Sequence, residues 1–247
     1  MHLEEFAEGS SFLHRADPRV KIIIFSLFSI LCATATDLKI PLYYLIYSVF
    51  LLFIADLKIK PFLSRIFVAN FFILFIWIFI PLSYHSNPYT TVGMFKISHE
   101  GLRYALLITV KCNAIIIATI TLLSTSSVFS LAHAMLHLKV PQKLVTIFFL
   151  FYRYITVIHE EYIKIRQAVM VRGFTPRTDI HTYKTYAYMI GGMLIKSYER
   201  AEEIYRAMLC RGFHGFFPLF EHFHTRKNDI IFGIISLSSF ILFWTIK

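Results

Sequence analysis

The sequence predicts an all-α polytopic membrane protein with about five transmembrane helices, two long cytoplasmic helices and a short one. Three observations carry that prediction. Of 247 residues, 57% are hydrophobic and only 16% are charged, where soluble domains usually carry about a quarter charged residues. The apolar residues come in blocks with the charges gathered between them, which is the pattern of membrane spans rather than of one soluble core. Lysines and arginines also favour alternate inter-block segments, as cytoplasmic loops require.

The opening residues, through Asp17, are polar and include Glu4, Glu5 and Glu8. They lack the basic stretch and apolar core of a cleaved signal peptide. The first apolar block runs from about Ile22 to Ala35 and the second from Pro41 to Ala55, with proline at a permitted early helical position. Both are short against the roughly 20 residues of a perpendicular span. Extension into their flanks, local thinning of the bilayer, or a re-entrant pair would each accommodate them. The blocks Ile66–Tyr84 and Leu102–Leu123 are full length, and Ile230–Ile246 closes the chain. Five spans follow, with four and six as neighbouring counts.

Five spans with the amino terminus inside place residues 1–21, 56–65 and 124–228 in the cytoplasm. These segments hold twenty lysines and arginines, fourteen of them in 124–228. The outer segments hold Lys39, Lys96, Arg103 and Lys247. Topology and lipid headgroups therefore explain the net charge of +10 without a nucleic acid partner. The predicted organisation is a membrane domain over 1–123, a cytoplasmic domain over 124–228 and a final span over 229–247. Inside the fourth block stand Lys111 and Asn113. A charge there must face other helices, a partner or water, in a packing, snorkelling or ion-conducting role.

Ser126 or Ser127 caps a short helix with Val128, Leu131, Met135 and Leu138 on one stripe, ending before Pro141. His133 and His137 share its other face at the i, i+4 spacing of a helical metal pair, and read as structural because no further cluster accompanies them. Cys32, Cys112 and Cys210 are scattered, show no ligand spacing, and read as small buried hydrophobes. No metal or cofactor pattern is found, and no G-x-x-x-x-G-K-[ST] loop.

A second helix runs from Pro141 to about Arg172 and a third from Tyr183 to Arg211, each apolar first and charged afterwards. They end alike, in Val171-Arg172-Gly173-Phe174 and Cys210-Arg211-Gly212-Phe213. A shift of 39 residues superposes these ends and also Glu160 on Glu199, Ile165 on Ile204 and Ala168 on Ala207. Each arginine stands one turn beyond an alanine on the same face. A small neighbour lets another protein approach, while the guanidinium offers five donors to carboxylates. Arg-Gly is also an ordinary helix terminus; its repetition is what suggests a duplicated docking device.

These paired arginine motifs resemble those of the transmembrane T component of energy-coupling factor transporters. The opening Ser10-Ser11-Phe12-Leu13-His14-Arg15-Ala16-Asp17-Pro18-Arg19-Val20-Lys21 resembles that of the cobalt branch, CbiQ, and Tyr152-Arg153-Tyr154-Ile155 matches a stretch early in the second cytoplasmic helix. The sequence departs from the family at Val171 and Cys210, where alanine is common, at Thr156, where proline usually stands, and at Val128-Phe129-Ser130, where an acid often opens the short helix. The resemblance implies a non-catalytic coupling subunit in a bacterial or archaeal cytoplasmic membrane. Its implied partners are two cytosolic P-loop ATPase subunits and a small CbiM-like substrate-binding membrane subunit. It also implies that Arg172 and Arg211 sit in grooves of the ATPases, with Gly173 and Gly212 turning the chain away. Cobalt or nickel is the implied substrate, with a vitamin-importing relative as the alternative.

Two other classes stay open at this point. A membrane-embedded enzyme would draw on His133, His137, His181, His222 and His224 with Glu199, Glu202 and Glu203 as bases, but no ligand triad or nucleophile arrangement accompanies them. A stand-alone channel or carrier using Lys111 would show inverted repeats in the spans; the repeat found lies in the cytoplasmic helices.

Overall fold

The computed structural model describes residues 6, 9, 11–83, 89–92, 95–215 and 227–245. Glu4, Glu5, Glu8, Ser10, Tyr84, His222, His224, Ile246 and Lys247, all singled out above, lie outside them. The elements in chain order are α1 (Phe12–Arg15), α2 (Pro18–Thr34), α3 (Lys39–Ala55), α4 (Ile59–Ser83), β1 (Tyr89–Val92), β2 (Phe95–Ser98), α5 (His99–Ala118), α6 (Val128–His137), α7 (Gln142–Val171), α8 (Ile180–Cys210) and α9 (Lys227–Thr245). A π-helical turn, Thr119–Leu123, extends α5. The fold is therefore almost wholly helical. The one addition to the predicted class is an antiparallel hairpin in which Tyr89 opposes Ser98 and Val92 opposes Phe95.

The chain divides into two compact units, one formed by residues 2–134 and 223–247 and the other by residues 135–222. In the first unit, Asp17 starts α2 by accepting the Arg19 amide at 2.9 Å, and Pro18 occupies the first helical position, where a missing N–H costs nothing. Asp56, in the left-handed conformation, ends α3. Residues 59–65, expected in a loop, instead form the first turns of α4. The reason is that Pro61, at the third helical position, removes an amide that would have no partner there anyway.

Two helices, Ile59–Pro81 and His99–Leu123, are long and apolar enough to cross a membrane, and shorter apolar helices span Lys39–Ala55, Val128–His137 and Asn228–Ile241. The two long ones differ in burial. Only 6% of the most apolar stretch of α4 is buried by the chain itself, against 39% for α5. Accordingly α5 packs between α3 and α4 and touches α2, while α9 lies on α2. Small residues on α5 (Ala105, Ala114 and Ala118) are fully buried and let its neighbours approach closely. The core is aromatic where α2, α3 and α9 meet. Phe28 meets Tyr44 at 5.0 Å and Phe240 at 5.8 Å between ring centroids, both edge-on.

Side-chain polar bonds join these helices. Asn70 and Asn113 exchange two amide hydrogen bonds, at 3.0 and 3.1 Å, between α4 and α5. Trp77 Nε1 donates to Thr109 Oγ1 at 2.8 Å along the same seam. Lys111 Nζ donates to the Ala33 carbonyl at 2.7 Å, in the last turn of α2, where free carbonyls and the helix dipole favour a cation.

In the second unit, α7 and α8 are 30 and 31 residues long and pack against one another. Each is about 45 Å long at the α-helical rise. Asp179 caps α8 by accepting the Thr182 amide at 2.8 Å, and Phe174 packs edge-on against Tyr186 at 5.9 Å. Glu161 and Lys196 form an ion pair between the helices. It borders an apolar groove of about 460 Å³ whose lining includes Leu150, Tyr154, Met193, Ile204 and Met208.

In α6 the buried residues are Ala132, His133 and Ala134, while Val128, Leu131 and Leu138 are half-buried and Met135 is exposed. One further expectation needs correction. Of the cysteines, Cys32 is buried, Cys112 half-buried and Cys210 exposed, because Cys210 belongs to the solvent-facing last turn of α8.

Candidate docking site at two helix ends

The carboxyl ends of α7 and α8 are built by one local rule used twice. Arg172 and Arg211 are the terminal caps, with φ/ψ of −77°/12° and −92°/10°. The glycine after each is left-handed, at φ 82° for Gly173 and 77° for Gly212. The Gly173 amide donates to the Met170 carbonyl at 3.0 Å and the Phe174 amide to Val169 at 3.4 Å. At the other end the Gly212 amide donates to Leu209 and the Phe213 amide to Met208, both at 3.0 Å. These are Schellman turns, which satisfy carbonyls that a helix end otherwise leaves free. A side chain added at either glycine would meet nothing within 4 Å. Backbone conformation, not crowding, is what calls for glycine.

Exposure repeats with the same spacing. Ile165 and Ile204 are half-buried, Ala168 and Ala207 exposed, Val169 and Met208 half-buried, and Phe174 and Phe213 half-buried. Val171 is 88% exposed, and Cys210, Arg172 and Arg211 are exposed with it. Among the described residues neither Arg172 nor Arg211 has an ion pair or a hydrogen-bonded side-chain partner. Each end therefore offers one undirected guanidinium beside small and apolar surface, a geometry suited to a carboxylate-lined pocket on another protein. Glu160 and Glu199 are also exposed and take no part in either cap. The acid that braces the two helices is the next one, Glu161, whose carboxyl the Lys196 ammonium holds below its ordinary range. The sequence signal for it was Lys196, 35 residues on, which no local pattern links to it.

The opening motif lies elsewhere, in the first unit. Asp17 and Pro18 start α2, and Lys21 is fully buried, its Nζ donating to Ser126 Oγ at 2.7 Å and Thr125 Oγ1 at 3.2 Å. Thr125, Ser126 and Asp229 were not singled out as partners of this motif. In the sequence Ser126 shows only as a candidate helix cap.

Of the histidines offered for an enzyme, His133 is buried and His137 exposed, while His222 and His224 lie outside the described residues. Among the described residues no three His, Cys, Asp or Glu side chains are grouped as metal ligands.

The family model described as cobalt transport protein, CbiQ, matches residues 9–222, most of the chain and both helix ends. The chain belongs to the CbiQ family. It is similar to the energy-coupling factor transporter transmembrane protein of Brevibacillus brevis, with 27% identity covering 96% of this chain and 94% of that one. The corresponding protein of Bacillus subtilis is 26% identical, covering 87% and 85%. That of Streptococcus thermophilus is 26% identical, covering 84% and 83%. The CbiQ chain described here is thus a membrane transporter subunit, the T component of the energy-coupling factor type.

Proposed function

We propose that this chain couples two cytosolic P-loop ATPase subunits to a small CbiM-like substrate-binding membrane subunit, in an importer for cobalt or nickel. It works in a bacterial or archaeal cytoplasmic membrane. Its five spans are α2, α3, α4, α5 and α9, its amino terminus is cytoplasmic, and residues 124–228 form the cytoplasmic domain between residues 1–123 and 229–247. The observation that carries this reading is the pair of matching arginine-bearing Schellman turns, 39 residues apart in the sequence. Two like ends suit two like partners. Each arginine enters a groove of one ATPase, with Ala168 or Ala207 allowing close approach and Gly173 or Gly212 leading the chain away. ATP-driven closure of the ATPases then moves α7 and α8, and that motion reorients the substrate-binding subunit.

Two-point docking makes the second contact effectively intramolecular. Arg172→Glu or Arg211→Glu alone should therefore weaken retention of the ATPases in a purified complex, while the double reversal abolishes it. A double variant that assembles and transports as the wild type does would show that the docking assignment is wrong.

A further inference from the structure

Asp17, Lys21, Thr125, Ser126 and Asp229 come from three parts of the chain and form one buried polar cluster within the first unit. Lys21 is 0% exposed, Asp229 3% and Asp17 5%. The Asp17 amide donates to Asp229 Oδ1 at 3.3 Å, in the first turn of α9, while Asp17 Oδ1 accepts from Arg19. The second Asp17 carboxylate oxygen is buried with no hydrogen-bonded partner among the described residues. Thr125, which accepts from Lys21, donates to the Thr121 carbonyl at 2.8 Å in the π-helical turn. Both aspartates act electrostatically on the Lys21 ammonium.

Stability alone does not call for such a cluster. Burying charges is costly, and apolar residues of like volume often hold a core as well or better. Its position in the chain is more telling. The chain leaves the first unit after residue 134 and returns at residue 223. Ser126 lies two residues before α6, the helix on the way out. The neighbouring Ser127 starts that helix by accepting the Ser130 amide at 3.2 Å. Asp229 lies just after the return. Within the first unit, the chain shortly before its exit and shortly after its return is thus bonded to the start of α2, Thr125 and Ser126 through Lys21 and Asp229 through the amide of the N-cap Asp17.

We propose that Lys21, with Asp17 and Asp229, tethers the first-unit segments that lead to both joins to the start of α2, so that movement of α7 and α8 is delivered to α2 and α9. Lys21 is then a positioning residue for coupling, a role that rests on the function proposed above. It touches neither ATPase nor substrate. Losing it leaves docking intact and breaks the transmission of movement.

The test uses the complete complex, purified through a tag on this chain and placed in lipid nanodiscs. Hydrogen exchange is compared without nucleotide and with ATP plus vanadate. In the wild type, exchange should change with nucleotide in α7 and α8 and also in α2 and α9. In Lys21→Met the ATPases and the response of α7 and α8 should remain. The response of α2 and α9 should fall about tenfold, within the range for one residue in a coupling network. Lys21→Arg should restore it. Thr125→Val with Ser126→Ala, which keeps every charge, should reproduce the loss should Lys21→Met fail to fold. A Lys21→Met complex whose α2 and α9 respond like the wild type overturns the tether and leaves the coupling role standing. Loss of the assembled complex in both variants marks a folding role only and also overturns it. A wild-type chain that retains no ATPases overturns the coupling role itself, and the tether with it.

Discussion

Replacing Gly212 by alanine should loosen the end of α8 by a predictable amount. The residue sits at φ 77° with open space around the position a Cβ would take, so no side chain must move and no clash adds to the cost. What remains is the left-handed backbone penalty of an L residue, about 1 kcal/mol. That energy falls on the two cap bonds, Gly212 N–H to Leu209 and Phe213 N–H to Met208. Amide exchange at Phe213 should therefore quicken about fivefold. Gly212→Asn should quicken it less, because asparagine tolerates the left-handed region. Gly173→Ala should do the same at Phe174. Because each turn sets the direction of the arginine before it, either alanine variant should also reduce ATPase retention without altering a charge. Exchange measured by mass spectrometry on the detergent-solubilised chain reads the first effect and co-purification the second. Alanine and asparagine variants that exchange like the wild type would show that the glycines are not there for the turn.

The reciprocal amide pair offers a second prediction. Asn113→Leu should destabilise the first unit by about 1 kcal/mol because it leaves Asn70 Oδ1 without its donor, although Asn70 Nδ2 keeps the Ile66 carbonyl, and adding Asn70→Leu should cost less than the sum of the single losses. Denaturation of the four variants in a double-mutant cycle measures the difference. A third prediction concerns pH. The Thr182 amide and hydroxyl hold the Asp179 carboxyl below its ordinary value, so the cap stabilises the folded form above the unfolded-state pKa of about 3.9 and fades as pH falls through the lower folded value. Protection of the Thr182 amide, corrected for intrinsic exchange, should therefore drop below about pH 4 in the wild type, while Asp179→Ala should be weakly protected throughout.

How far the structure was legible in the sequence follows from the range of each interaction. The arginine-glycine ends were readable because a Schellman turn is local: Arg172 to Phe174 and Arg211 to Phe213 contain nearly everything the turn needs. The apolar helices were readable for the same reason, since composition over some twenty residues determines them. The start of α4 was not, because Lys58, Lys60 and Pro61 resemble a loop, although a helix accepts proline in its first turn. The hairpin at residues 89–98 was hidden between two stronger apolar blocks, its four-residue strands too short to stand out by pattern. The partners of Lys21 and Glu161 were out of reach for a different reason. Thr125 and Ser126 lie more than a hundred residues from Lys21, Lys196 lies 35 residues from Glu161, and only tertiary packing brings them together. Lys111 was recognisable as a charge needing a partner, but its partner is the Ala33 carbonyl, a backbone atom with no signature in sequence.

The most direct measurement is to purify the tagged chain from its native membrane in mild detergent and identify what accompanies it. The coupling role predicts P-loop ATPase subunits together with one small membrane protein, whose identity would name the substrate class. It further predicts that Arg172→Glu with Arg211→Glu removes the ATPases from that complex. Recovery of the chain alone, with wild-type and double-variant samples indistinguishable, would contradict it.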